Sequence, residues 1–161
     1  MAKIEAKLQQ MGLALPAPLK PPAGLKVPIA MVKITGTHAY VSGHAPLAAD
    51  GSLANPKGKV GGELTVEQGY QAARLTALAM LASLKRELGD LDRVTNWLKV
   101  LGMVNVAPTF NETPRVINGF SDLIVELYGK ERGLHTRSAV GMAALPFNIP
   151  VEIEAEVEIS K

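Results

Sequence analysis

An arginine and a run of glutamates close this chain, and they are the side chains with the clearest capacity for chemistry. Arg137 sits in TRSAVGM, and a guanidinium grips a carboxylate or phosphate through two parallel charge-assisted hydrogen bonds. Further on, VEIEAEVEI puts Glu152, Glu154, Glu156 and Glu158 on one face of a strand and Val151, Ile153, Ala155, Val157 and Ile159 on the other. A carboxylate there can accept a proton or orient a water. Four like charges in a row cannot all be buried, so some must meet water, an arginine or a cleft. An ion pair from Arg137 to Glu152 or Glu154 across paired strands explains the same residues without a ligand, and spacing alone leaves both readings open. Ser42, before Gly43, offers a hydroxyl, and Asn118 offers a carboxamide near a helix start; each also suits plain backbone hydrogen bonding.

Other chemistries fit less well. The chain has no cysteine, which excludes disulfides, thiolate nucleophiles and thiolate metal sites. His38, His44 and His135 lack metal-ligand spacing, so no metal is expected. Ser42 lacks the Gly-x context of a nucleophile elbow, and Lys57-Gly58 lacks the rest of a phosphate loop. With 17 basic against 15 acidic residues there is no basic stripe, and no nucleic-acid partner is expected. The apolar run from Ala72 to Leu84 is broken by Arg74 and followed by Lys85 and Arg86, so it is no membrane span. The start, MAKIEAKLQQMG, lacks the apolar core of a signal peptide, and a cytoplasmic protein is expected.

The elements that must position these groups follow from periodicity. A length of 161 residues, 47 % of them hydrophobic, suits one domain with a sizeable core. Residues 1–26 read as an extension: a short helix or added strand from Ala2 to Met11, then an extended arm stiffened by Pro16, Pro18, Pro21 and Pro22. A single domain follows over 27–161. VPIAMVKI and AYVSGHAP form a hairpin about Gly36, and residues 46–64 a mobile surface loop or cleft rim. Thr65 and Gln68 make a capping box for a helix reaching about Leu88, with Ala73, Ala77, Leu81, Leu84 and Leu88 as its apolar stripe and Gly89 as its stop. Val94–Val106 is a strand that puts Trp97, Leu101 and Met103 on one side, subject to register. Thr113 as N-cap and Pro114 begin a helix reaching Leu127 or Tyr128, with Ile117, Phe120, Leu123, Ile124 and Leu127 inward and Gly129 as its stop. Two closing strands complete an α+β sheet with both helices on one face. The bare face points to self-association.

YVSGHAP at 40–46, INGF at 117–120, TRSAVGMAALP at 136–146 and VEIEAEVEI at 151–159 together resemble the RidA family, also called YjgF, from roughly residue 27 to the end. The resemblance implies a chorismate-mutase-like mixed sheet with two helices on one face and a homotrimer with clefts between subunits. It also implies hydrolysis of reactive enamines and imines to 2-oxo acids and ammonia, with no metal or covalent cofactor. It casts Arg137 as the clamp for a substrate carboxylate, Glu152 as the residue that positions or activates water, and Ser42 and Asn118 as pocket lining. Ala139 stands where many members carry cysteine, and Ile29 approximately matches a substrate-facing aromatic. These departures, with the 51–64 loop and the N-terminal arm, suggest a divergent subgroup with an altered pocket. The expected activity is that of a 2-iminobutanoate/2-iminopropanoate deaminase-like hydrolase. The alternatives are a non-catalytic trimer that binds small carboxylate metabolites and, with less support, a ribonuclease or translation inhibitor.

Overall fold

The computed structural model describes residues 3–21 and 23–161. In chain order the elements are α1 (Lys3–Gln10), β1 (Val32–Thr35), β2 (His38–His44), α2 (Val66–Leu88), β3 (Val94–Asn105), α3 (Thr113–Gly133), β4 (Thr136–Met142) and β5 (Val151–Ile159). Among the described residues the strands make one sheet in the order β1-β2-β5-β3-β4. All neighbours are antiparallel except β3 and β4, which run parallel because α3 supplies the crossover between them. This is the expected α+β, chorismate-mutase-like layering of a mixed sheet with helices on one face.

The helix stripes carry the packing. Thr65 and Gln68 form the capping box at the start of α2, and Gly89 ends that helix at φ 78°, a backbone conformation that disfavours a side chain. Ala73, Ala77, Leu81 and Leu84 on α2 are fully buried, as are Ile117, Phe120, Leu123, Ile124 and Leu127 on α3. They meet the inward residues of β5 and β3, including Val151, Ile153, Val157, Val100 and Val104. Trp97 departs from its expected side. The β3–β5 register slips between Trp97 and Lys99, so the parity of the strand changes there. Trp97 is therefore buried under α3, edge-on to Phe120 at 5.7 Å and to Tyr128 at 5.8 Å. Leu101 and Met103 register with Glu154 and Glu152 on the open face.

Other boundaries also shift. The first strand begins at Val32 rather than Val27, since Pro28 has no N–H for a ladder and the carbonyl of Ala30 is taken by the Ser42 hydroxyl. The N-cap of α3 is Glu112; Thr113 lies inside the helix and donates its hydroxyl to the Ala139 carbonyl at 2.9 Å. Gly129, at φ 76°, breaks α3 as expected, and the chain then resumes one more turn to Gly133. The 46–64 segment is pinned to the body: Val60 and Leu64 are buried, and the Val60 amide donates to the Asn105 carbonyl at 2.8 Å.

The N-terminal residues join the same core. Lys3–Gln10 is helical, with Ile4 and Leu8 buried; Ala2 lies outside the described residues. The arm is extended through Pro16, Pro18 and Pro21, while Pro22 lies outside the described residues. It is strapped to the 46–64 segment by Ala17 N to Ala49 O at 3.0 Å and Lys20 N to Gly51 O at 2.9 Å. Gly51 permits this approach, because a Cβ there would lie 2.1 Å from the Pro18 carbonyl oxygen.

Candidate functional site

Arg137 lies on β4, and β3 stands between β4 and β5. The cross-strand pairing of Arg137 with Glu152 or Glu154 therefore does not occur. Arg137 registers with the buried Val100, which puts it on the helix side of the sheet. Its Nη1 donates to Asn118 Oδ1 and to Ser121 Oγ, both at 3.0 Å. Ser121 Oγ also lies 2.9 Å from His135 Nε2, and His135 Nδ1 lies 2.8 Å from the Gly133 carbonyl. A carbonyl only accepts, so Nδ1 carries the ring proton, Nε2 accepts the Ser121 hydroxyl, and the Ser121 lone pairs receive Arg137. Burial lowers the pKa of His135 and that of Arg137, although a guanidinium stays charged. Nη2 of Arg137 has only a 3.5 Å contact with the Pro114 carbonyl, so part of the fork remains available to a ligand. Ala139 follows two residues along the same side of β4.

Glu152 occupies the opposite face, in register with Met103. The β2–β5 ladder slips between Val41 and His44, leaving Ser42 and Gly43 in a bulge beside it. Gly43 is so close that a Cβ would lie 2.2 Å from Glu152 Oε1. The four glutamates of β5 are not equivalent. Glu158 accepts from Asn96 at 2.7 Å and Thr95 at 3.1 Å, and Glu156 lies 4.0 Å from His38. Glu154 is exposed. Among the described residues no hydrogen-bond donor reaches Glu152. Burial, reinforced by the Glu154 charge, raises its pKa above the ordinary carboxylate value.

Glu152 and Gly43 open onto a cleft of about 680 Å³. Its walls are mostly apolar: Pro18, Pro21, Leu25, Val27 and Ile29 before β1, Leu47 and Leu53 from the following segment, and Phe147 and Ile149 before β5, with Arg86 and Glu87 of α2 the charged exceptions. A second histidine network lines it. His44 Nδ1 donates to Ser42 O at 2.6 Å, so its Nε2 accepts from Ser83 Oγ at 2.8 Å, and Arg86 Nη2 donates to Ser83 Oγ at 2.9 Å. Burial pushes the His44 pKa down to about 4, so the ring is neutral. Ser42 faces the neighbouring open sheet surface, with its hydroxyl donated to Ala30 O at 2.7 Å.

Two half-sites result. Glu152 and Ile29 share the cleft, with Ser42 at its border, whereas Arg137, Asn118 and Ala139 gather on the other face beside α3. The closeness of Gly43 to Glu152, and the roles of Ser83, Ser121 and the two histidines, escaped the sequence reading. Their signals were local: Gly43 lies within YVSGHAP, His135 and Arg137 are two apart on one strand face, and Asn118 and Ser121 are three apart on one helix face. Among the described residues, the carboxylates that converge as metal ligands would are Glu5, Asp90 and Asp92. They already serve the fold, with Glu5 Oε1 accepting from Leu91 N at 3.1 Å and Asp90 Oδ1 from Asp92 N at 2.8 Å. Among the described residues no helix is long and apolar enough to cross a membrane.

Comparison with known proteins places this arrangement among relatives. Residues 5–155 match the family described as "YjgF/chorismate mutase-like, putative endoribonuclease". Protein TCP17 of Trypanosoma cruzi is 39 % identical over 158 residues, covering 98 % of this chain and 95 % of its own length. The crystal structure of an Agrobacterium tumefaciens protein of unknown function is 40 % identical with a TM-score of 0.86, over 99 % of this chain and 94 % of that one. A Shewanella oneidensis protein described as "a putative endoribonuclease" is 31 % identical with a TM-score of 0.86, over 98 % and 99 % of the two chains.

Proposed function

This chain belongs to the YjgF/chorismate mutase-like family, and from that premise we propose that it is a homotrimeric hydrolase of 2-imino acids and their enamine tautomers. The observation that carries the reading is Glu152: a half-buried carboxyl with a raised pKa, without a hydrogen-bond donor among the described residues, opening on an apolar cleft. A carboxylate used as a general base works best when its pKa is drawn toward neutrality, and desolvation does that here.

In the proposed reaction Arg137 holds the substrate carboxylate, with Asn118 and Ser121 fixing the guanidinium. Glu152 takes a proton from a water as its oxygen bonds to the imine carbon and passes that proton to the imine nitrogen, giving a carbinolamine and restoring the carboxylate. Transfer of the hydroxyl proton through Glu152 to nitrogen then lets the C–N bond break, releasing ammonia and the 2-oxo acid. The imine carbon is already electrophilic, so positioning and proton transfer suffice. Ser42 and Ile29 border the Glu152 half, and Ala139 the Arg137 half.

Arg137 and Glu152 lie on opposite faces of one sheet, so a site using both takes Arg137 from one copy and Glu152 from the next. That requirement fits a trimer with clefts between subunits. Leu101, Met103 and Val140 on the open face supply apolar surface for such an assembly. Residues 1–26 then form an extension whose Pro-rich part walls the cleft of the 27–161 domain.

Release of 2-oxo acid from freshly generated 2-aminoacrylate and 2-imino acids tests the reading. Acceleration over buffer is expected, and none for any substrate with an assembled, folded protein would refute it. Mixing Arg137→Ala subunits with Glu152→Ala subunits should restore part of the activity missing from each alone. Failure to restore it, with mixed assembly verified, would refute the split site.

A further inference from the structure

Resting on that hydrolytic reading, we propose that the preferred substrates carry a bulky apolar side chain, branched aliphatic or aryl, which the cleft beside Glu152 receives. Leu25, Val27, Ile29 and Phe147 are between 38 % and 58 % exposed, yet all four border this one cleft. Large apolar side chains gathered around a concavity mark a binding surface. A volume of about 680 Å³ falls in the range of small-molecule pockets, and a methyl or ethyl side chain would leave most of it to water. Water there would find few partners along the apolar walls.

The polar groups of the cleft do not invite a polar side chain. Both ring nitrogens of His44 are engaged, and the Ser83 hydroxyl donates to His44 while accepting from Arg86. A hydroxyl or amide on the substrate would have to break this network to be satisfied by His44 or Ser83, which leaves it the exposed Arg86 and Glu87, groups that water already solvates. Two carboxylates line the cleft: Glu87 is exposed beside Arg86 on α2, whereas Glu152 is half-buried, has no hydrogen-bond donor among the described residues, and stands where the reacting carbon must come. Beyond Glu152 the cleft is thus mostly apolar, its other charged groups being the solvent-exposed Arg86 and Glu87.

The test compares kcat/KM of the assembled protein for imines generated by an amino-acid oxidase from alanine, 2-aminobutyrate, norvaline, leucine and phenylalanine. Alongside it, calorimetry measures binding of the matching 2-oxo acids. Each added methylene should raise kcat/KM about 4-fold, the equivalent of ~0.8 kcal/mol, so leucine imine should exceed alanine imine by tens-fold. Leu25→Ser and Ile29→Ser, both at exposed positions, should flatten the ratio. A flat series, or a preference for the methyl side chain, would overturn the inference. If no imine is hydrolysed but 2-oxo acid affinity rises with side-chain size, the hydrolytic reading fails while the ligand class stands. Absence of both would overturn the two together.

Discussion

Replacing Gly43 with alanine should separate activity from stability. The added Cβ would lie 2.2 Å from Glu152 Oε1, 3.0 Å from Cδ and 3.2 Å from Cγ. Every one of these atoms belongs to the outer part of a flexible side chain, and the backbone of Gly43 is not in the left-handed region. The carboxylate can therefore swing away, and the fold should lose no more than about 0.5 kcal/mol, the range of substitutions that touch no core or network. Catalysis has no such escape. Displacing a base by an ångström costs on the order of 100-fold, and removing one costs about 100- to 10,000-fold. Imine hydrolysis by Gly43→Ala should fall by at least about 100-fold with a nearly unchanged Tm. Glu152→Ala should fall at least as far, and the double variant should be no worse than Glu152→Ala, because both changes remove one function. Wild-type rates in Gly43→Ala, or losses that multiply in the double variant, would refute the placement of the base.

The guanidinium offers a second test. Arg137→Ala should weaken transition-state binding of carboxylate substrates by ~2 kcal/mol, about 30-fold in kcat/KM, and Ser121→Ala should raise KM more than it lowers kcat. Steady-state kinetics on both variants check this; an Arg137→Ala rate equal to wild type excludes the clamp. The raised pKa of Glu152, caused by burial and then by the Glu154 charge, should put the acid limb of kcat/KM above the ordinary glutamate value. The fold holds this proton more tightly than the unfolded chain, so stability is lost as pH rises through the folded pKa. Glu152→Gln should consequently be more stable than wild type at neutral pH and equal to it in acid, as measured by Tm against pH. His44 works in the opposite sense. Burial depresses its pKa from 6.5 to about 4, so the unfolded chain binds more protons and stability drains away as pH falls between those values, by at most about 3 kcal/mol. Denaturant titrations over that window should show the slope in wild type and a smaller one in His44→Gln.

The sequence by itself determined the elements and their inward faces, because periodicity and capping are local physics. The capping box at Thr65 and Gln68, the stripes on α2 and α3, and the alternation of β5 need no distant partner to be read. The quoted motifs also carried the family and nominated Arg137 and Glu152. Tertiary structure alone decided their relation. Strand order put β3 between β4 and β5, which ended the internal ion pair and set the two side chains on opposite faces. A single register slip moved Trp97 from the open face into the core, and another brought Gly43 against Glu152. Bulges and strand order depend on pairing between distant segments, which no local pattern encodes. The same reason hid the serines that orient Arg137 and engage His44: each acts across elements that only packing brings together. Alternation made four glutamates alike, and burial against the cleft made one of them different.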